Sequence, residues 1–166
     1  METLSVAGKT LVVDIADLAV SRDSDETLVT YSLGSCIGLA IWDPVVKVGG
    51  LLHFMLPDSS ISPDKAQSKP GMFADTGIPL LFKQTYTAGA EKKRMIVTVA
   101  GAAQLMDSQG VFNIGKRNHL SLRKILWRNN VMIDKEDIGG CEGRTMRLEI
   151  GTGRVLIKTK AGEVEL

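Results

Sequence analysis

Apolar positions divide the chain into short extended blocks and two amphipathic stretches. Residues 11–18 and 27–31 read as extended segments on either side of the charged stretch 21–26. Residues 36–42 and 48–55, dominated by apolar and β-branched side chains, flank the turn signal Asp43-Pro44 and read as the two strands of a hairpin. Residues 58–71 are rich in Ser, Pro, Asp and Lys and read as a mobile surface loop. Between 74 and 88, Ile78, Leu81, Phe82 and Tyr86 recur at helical spacing and mark one buried stripe. Pro79 is expected in the first turn of that helix, where a missing N–H costs little.

Residues 94–100 are continuously apolar after the leading arginine, as in a strand buried on both faces. Asn113 is the expected N-cap of a second helix reaching about residue 129, with Leu122, Ile125 and Leu126 turned inward. Residues 131–138, 145–150 and 155–159 read as closing strands, with turns at Gly139-Gly140 and Gly151-Thr152-Gly153. The order of strands, helix, strand, helix, strands predicts an α+β layered domain rather than a repeated βαβ array. With 166 residues, the chain (1–166) reads as a single domain able to bury a core without covalent staples.

Composition excludes several classes. A net charge of +1 gives no global electrostatic footprint, so no nucleic-acid partner is expected. Two widely separated cysteines make neither a disulfide framework nor a metal motif. Asp43, Asp58 and Asp64 have no metal-site spacing, and neither metal nor cofactor is expected. No basic segment followed by an apolar stretch opens the chain, and the longest apolar runs fall far short of a membrane span. The expected setting is the cytoplasm, without membrane insertion.

The candidate chemistry lies in the 36–55 hairpin, which carries Cys36 on one strand and His53 on the other. A turn centred between Pro44 and Val45 places the two directly opposite, with Cβ atoms about 4.5–5.5 Å apart. Cys36, Gly38, Ala40 and Trp42 then share a face, whose small residues leave room for a substrate beside the thiol. A register slip of one residue would put the thiol and the imidazole on opposite faces. Gly34 and Ser35, just before Cys36, are candidate oxyanion or substrate-binding positions, because glycine tolerates the backbone angles that turn amides outward. A strand cysteine is most often inert packing, whereas a thiol facing an imidazole is the nucleophile–base arrangement. The residues alone leave both readings open. Cys141 and His119 read as structural or surface residues, Lys92-Lys93-Arg94 as a solvated turn, and Arg117, Asn118 and Arg144 as structural in preference to substrate-contacting.

Together, Thr30 through Cys36, His53-Phe54-Met55-Leu56-Pro57, Ile114 through Asn118 and the late stretch Gly139-Gly140-Cys141-Glu142-Gly143-Arg144 resemble the chemoreceptor glutamine deamidases, CheD. That resemblance implies a three-layer α/β sandwich of mixed and antiparallel sheets with two main helices. It implies hydrolytic deamidation of glutamine side chains on methyl-accepting chemotaxis receptors, with a CheC-type phosphatase as a further partner. The family's Cys-His-Thr site falls on Cys36, His53 and Thr30, with Thr30 accepting a ring N–H of His53. A neutral hydroxyl stabilises imidazolium less than a carboxylate does, so modest thiolate activation is expected.

Two stretches depart from the family pattern. Ser32 stands where glycine is frequent and would be strained if the position needs a positive φ. Residues 100–104 are less glycine-rich than the pattern. Competing readings are a docking module that binds receptors or the phosphatase without catalysis, and a cysteine protease or transglutaminase-like enzyme. Residues 58–72 are a candidate lid.

Overall fold

Alternating side chains build two mixed sheets in the computed structural model, which describes residues 8–104 and 113–166. The strands are β1 Lys9–Val12, β2 Asp17–Ser21, β3 Glu26–Leu33, β4 Ile37–Asp43, β5 Val48–Phe54, β6 Ile96–Gly101, β7 Lys135–Ile138, β8 Arg144–Glu149, β9 Val155–Thr159 and β10 Gly162–Glu165. The helices are α1 Pro63–Ser68, α2 Ala74–Thr87 and α3 Ile114–Arg128. One sheet runs β1-β3-β8-β9-β10 and the other β2-β5-β4-β6-β7.

The second sheet is the middle layer, and the period of two along its strands explains why. Ile37, Leu39 and Ile41 of β4, with Leu52 and Phe54 of β5, pack against Ile78, Leu81 and Phe82 of α2 and Leu122 and Leu126 of α3. The alternate residues, Ala40, Trp42 and Leu51, pack on Leu28, Leu33, Met146 and Leu148 of the first sheet. Every residue of β4 and β5 is buried. The result is the expected three-layer sandwich of sheet, sheet and helices.

Several boundaries differ from the sequence reading. Residues 11–18 do not form one segment: β1 and β2 belong to different sheets, and the chain swings between them through Ala16 at φ 65°. Residues 58–71 carry two 3₁₀ turns and α1. Asp58 accepts from the Ser60 amide, Pro63 and Pro70 start helical turns, and Ser59 donates to Asp75 through both its amide and its hydroxyl. Pro79 is the sixth residue of α2, past the first turn, on the solvent-facing side. Tyr86 lies at the rim of the helix's buried stripe and Thr85 takes the inner position. Asn113 holds the cap position of α3 in the left-handed conformation (φ 48°), which asparagine tolerates, without a side-chain capping bond.

Arg94 is not part of a solvated turn. It pairs with the fully buried Asp43 at the far end of the hairpin from Cys36, with Nη2 to Oδ2 at 2.8 Å. Burial pushes the Asp43 carboxyl up, but Arg94 and the amides of Glu91 and Val45 together hold it at about 2.

Candidate active site

The β4–β5 ladder places Gly38 opposite His53, and its last pair is Ile37 with Phe54. The register therefore differs by two residues from the expected one, because the loop between the paired Asp43 and Val48 holds four residues, with Lys47 at φ 52°. A shift of two preserves the face. Cys36 stands one residue beyond the ladder on the inter-sheet side, diagonal to His53 rather than directly across from it.

The small residues on this face do not make substrate space. A Cβ at Gly38 would lie 2.7 Å from Met146 Sδ and 2.9 Å from Leu33 Cδ1, so the first sheet fills the room. The cleft lies beyond the strand end. It has a volume of about 720 Å³, and its walls include Cys36, Ser35, Ala103, Gly115, Lys116 and Gly140. Cys36 is half-buried in this wall, and His53 is fully buried. None of residues 58–72 lines the cleft, so the lid reading finds no support in its walls.

Thr30 reaches His53 from the other sheet. Its Oγ1 lies 2.7 Å from His53 Nδ1 and donates to the Val13 carbonyl at 2.7 Å. A hydroxyl has one hydrogen, and the Val13 carbonyl can only accept, so that hydrogen points to Val13. Nδ1 must then carry the proton it gives to Thr30, and Nε2 keeps its lone pair. Nε2 is buried and has no hydrogen-bond partner among the described residues. The Val13 carbonyl, which fixes this tautomer, has no side-chain signal in the sequence.

Burial raises the Cys36 thiol above its ordinary range, and the residue's own N–H pulls weakly the other way. Burial lowers His53 to about 4. At neutral pH the two groups are therefore a thiol and a neutral imidazole, so the resting site shows no thiolate activation. The acid limb of kcat/KM is expected near pH 4 rather than near the ordinary histidine value. Because the folded value lies below the unfolded one, the unfolded chain takes up this proton first as pH falls. Stability from the neutral buried ring is complete above about pH 6.5 and is lost towards pH 4, by about 3 kcal/mol in all. Urea unfolding at pH 7 and at pH 4.5 measures the slope, and His53→Gln should remove most of it, leaving the smaller share of the depressed Asp43 carboxyl.

The loop carrying Cys36 is held from three sides. The Ala102 and Ala103 amides donate to the Cys36 and Gly34 carbonyls, each at 2.9 Å. Gly101 adopts φ 118°, and a Cβ there would collide with the Cys36 carbonyl. Fully buried Asn118 donates through Nδ2 to the Ser35 carbonyl at 3.0 Å and the Met55 carbonyl at 2.8 Å. Arg144 braces the far wall, donating to the Gly101 and Gly139 carbonyls and to Asp137.

Of the expected oxyanion positions, Gly34 spends its N–H on the Ser32 carbonyl at 3.0 Å. Among the described residues, the Ser35 and Cys36 amides donate to no other backbone carbonyl. Ser32 does adopt a positive φ, 60°. Ser32→Gly should therefore stabilise the fold by about 0.5–1 kcal/mol in chemical denaturation. His119 lies at the cleft edge with Nε2 3.2 Å from Glu136, and exposed Cys141 follows the Gly139-Gly140 wall. No cluster of three metal-ligating side chains occurs among the described residues.

The structure thus holds a half-buried thiol one residue past the end of the β4–β5 ladder, on the same face as a buried imidazole whose tautomer is fixed, at the edge of a sheet–sheet–helix sandwich. The chain matches the family model CheD, described as CheD chemotactic sensory transduction, over residues 55–159. It is 57% identical over 152 residues to the probable chemoreceptor glutamine deamidase CheD 1 of Syntrophus aciditrophicus, covering 92% of this chain and 95% of that one. It is 49% identical to the corresponding probable deamidase of Solibacter usitatus, over 94% of this chain and 92% of that one. With the probable CheD 2 of Anaeromyxobacter dehalogenans the identity is 47%, over 90% and 94% of the two chains. The protein belongs to the CheD family. The family model starts at Met55, so Thr30, Cys36 and His53 lie outside its span but within a chain that the relatives match almost throughout. No helix among the described residues is long and apolar enough to cross a membrane.

Proposed function

We propose that this protein hydrolyses glutamine side-chain amides to glutamate on chemotaxis receptors, with Cys36 as nucleophile, His53 as base and acid, and Thr30 as the residue that orients the ring. The observation that carries this is the chain Val13 carbonyl, Thr30 hydroxyl, His53 Nδ1–H, which leaves Nε2 as a lone-pair base on the Cys36 face. Nε2 takes the thiol proton as sulfur attacks the carboxamide carbon. The Ser35 and Cys36 amides hold the oxyanion. The imidazolium returns its proton to the departing nitrogen, and the C–N bond breaks to give ammonia and a thioester. Water then attacks the thioester, its proton passing to Nε2 and on to the released sulfur, and leaves glutamate.

The same reading places the protein in the cytoplasm as one domain, with a CheC-type phosphatase as a docking partner. The test is mass spectrometry of receptor cytoplasmic fragments incubated with the protein. Each turnover should add about one dalton, since NH₂ is replaced by OH. Cys36→Ala should add none while melting like the wild type. Unchanged masses with wild-type protein across several receptors would overturn the reading.

A further inference from the structure

Helix α3 shows solvent an unusual face. Gly115, Asn118, Leu122 and Leu126 are its buried side. The opposite side carries five exposed cations, Lys116, Arg117, Arg123, Lys124 and Arg128, and the helix contains no acidic residue. Among the described residues none of the five has an ion-pair partner within 4 Å. Solvated helices ordinarily mix signs at this spacing, and Lys124 with Arg128 is a like-charge pair at i, i+4.

Two large apolar side chains sit in the middle of this charge. Leu120 and Trp127, two turns apart on one line, are 55% and 79% exposed. Beside Trp127 runs a groove of about 390 Å³ whose near wall carries Arg123 and whose far wall carries Met132, Asp134, Lys135 and Glu136, so the excess of cations lies on the helix side. Exposed tryptophan flanked by arginine is the residue chemistry of interface anchors. The face is continuous with the Cys36 cleft, because Ile114, Gly115, Lys116 and His119 of α3 line that cleft. From there the helix runs about 22 Å, at 1.5 Å per residue.

We infer that the outer face of α3 is the docking surface for the protein substrate, gripping an acidic segment with apolar side chains that flanks the target glutamine. This rests on the function proposed above. Charge complementarity commits the face to an acidic occupant, and continuity with the cleft makes that occupant the substrate. Each turnover turns a neutral carboxamide into a carboxylate, so a segment with several target glutamines grows more anionic as it reacts. The five exposed cations hold it through successive turnovers, and Leu120 and Trp127 supply contacts that charge alone does not. The whole chain carries a net charge of only +1, so the cationic character is local to this route.

The experiment pairs kinetics with direct binding, using a receptor cytoplasmic fragment as probe. Arg123→Glu with Lys124→Glu, and separately Trp127→Ala, should raise KM for the fragment about tenfold with kcat within about twofold. Iodoacetamide should alkylate Cys36 at the wild-type rate in both, which checks that the site is intact. In a Cys36→Ala background, where no turnover occurs, fragment binding should blue-shift the emission of Trp127, the exposed one of the two tryptophans. That shift should weaken between about 50 and 300 mM salt. Unchanged KM in both variants overturns the inference, as does a Trp127 response to anionic vesicles or DNA with none to the fragment. A wild type that binds the fragment through α3 but never deamidates it would sink the proposed function and leave the docking surface standing.

Discussion

Replacing His53 by glutamine is expected to lower kcat about 10³-fold, and Thr30→Val about 10²-fold, with KM for the receptor fragment nearly unchanged in both. The first change removes the base. The second leaves the base in place and removes only what orients it. Valine matches threonine in shape but cannot accept the Nδ1–H, so the ring loses the partner that keeps the lone pair on Nε2. The tautomer with its proton on Nε2 becomes populated and cannot take the thiol proton. Cys36 alkylation should slow in both variants, which a purely structural role of Thr30 would not produce. Full activity in Thr30→Val, with the fold intact, would show that the bond across the sheets plays no part in the chemistry.

Much of this site is legible in the sequence because β-strand side chains have a strict period. Cys36 and His53 share a face in the structure although the register is two residues from the one read off Asp43-Pro44, since any even shift keeps the face. The loop length itself was not legible, because it depends on Lys47 adopting φ 52° without any glycine to announce it. Ser32 was legible from the family pattern, and its φ of 60° agrees. What failed were inferences that needed the other sheet. Gly38 looked like substrate space and is instead the seat of Met146 and Leu33, from elements that alternation alone does not place. The division of 11–18 at Ala16 leaves no mark in the hydropathy pattern, yet it brings the Val13 carbonyl to Thr30. β10, with alternating glutamates on an exposed edge, has too little apolar character to read as a strand at all.

Asn118→Asp, which keeps the side chain's shape, is expected to reduce kcat about 10²-fold and destabilise the fold by about 3 kcal/mol. The reason lies where the β4–β5 ladder stops. One residue past Ile37 and Phe54, the ladder pattern is lost, and the Met55 amide turns away to the Met72 carbonyl. Two acceptors, the Ser35 and Met55 carbonyls, are then left at the mouth of the hairpin with no backbone donor between them. A donor nitrogen with two hydrogens can bridge the two carbonyls, and the Asn118 amide nitrogen does so at 3.0 and 2.8 Å. It ties the residue before Cys36 to the strand that carries His53, replacing the ladder rung that is missing there. A carboxylate in the same place offers no hydrogen and repels both oxygens, so the two strand ends part and the sulfur moves relative to Nε2. If the effect acts through that alignment, Asn118→Asp should slow Cys36 alkylation in the wild type but cause no further slowing in His53→Gln. Equal slowing in both backgrounds, at matched stability, would mean that Asn118 supports the fold without setting the thiol against the imidazole.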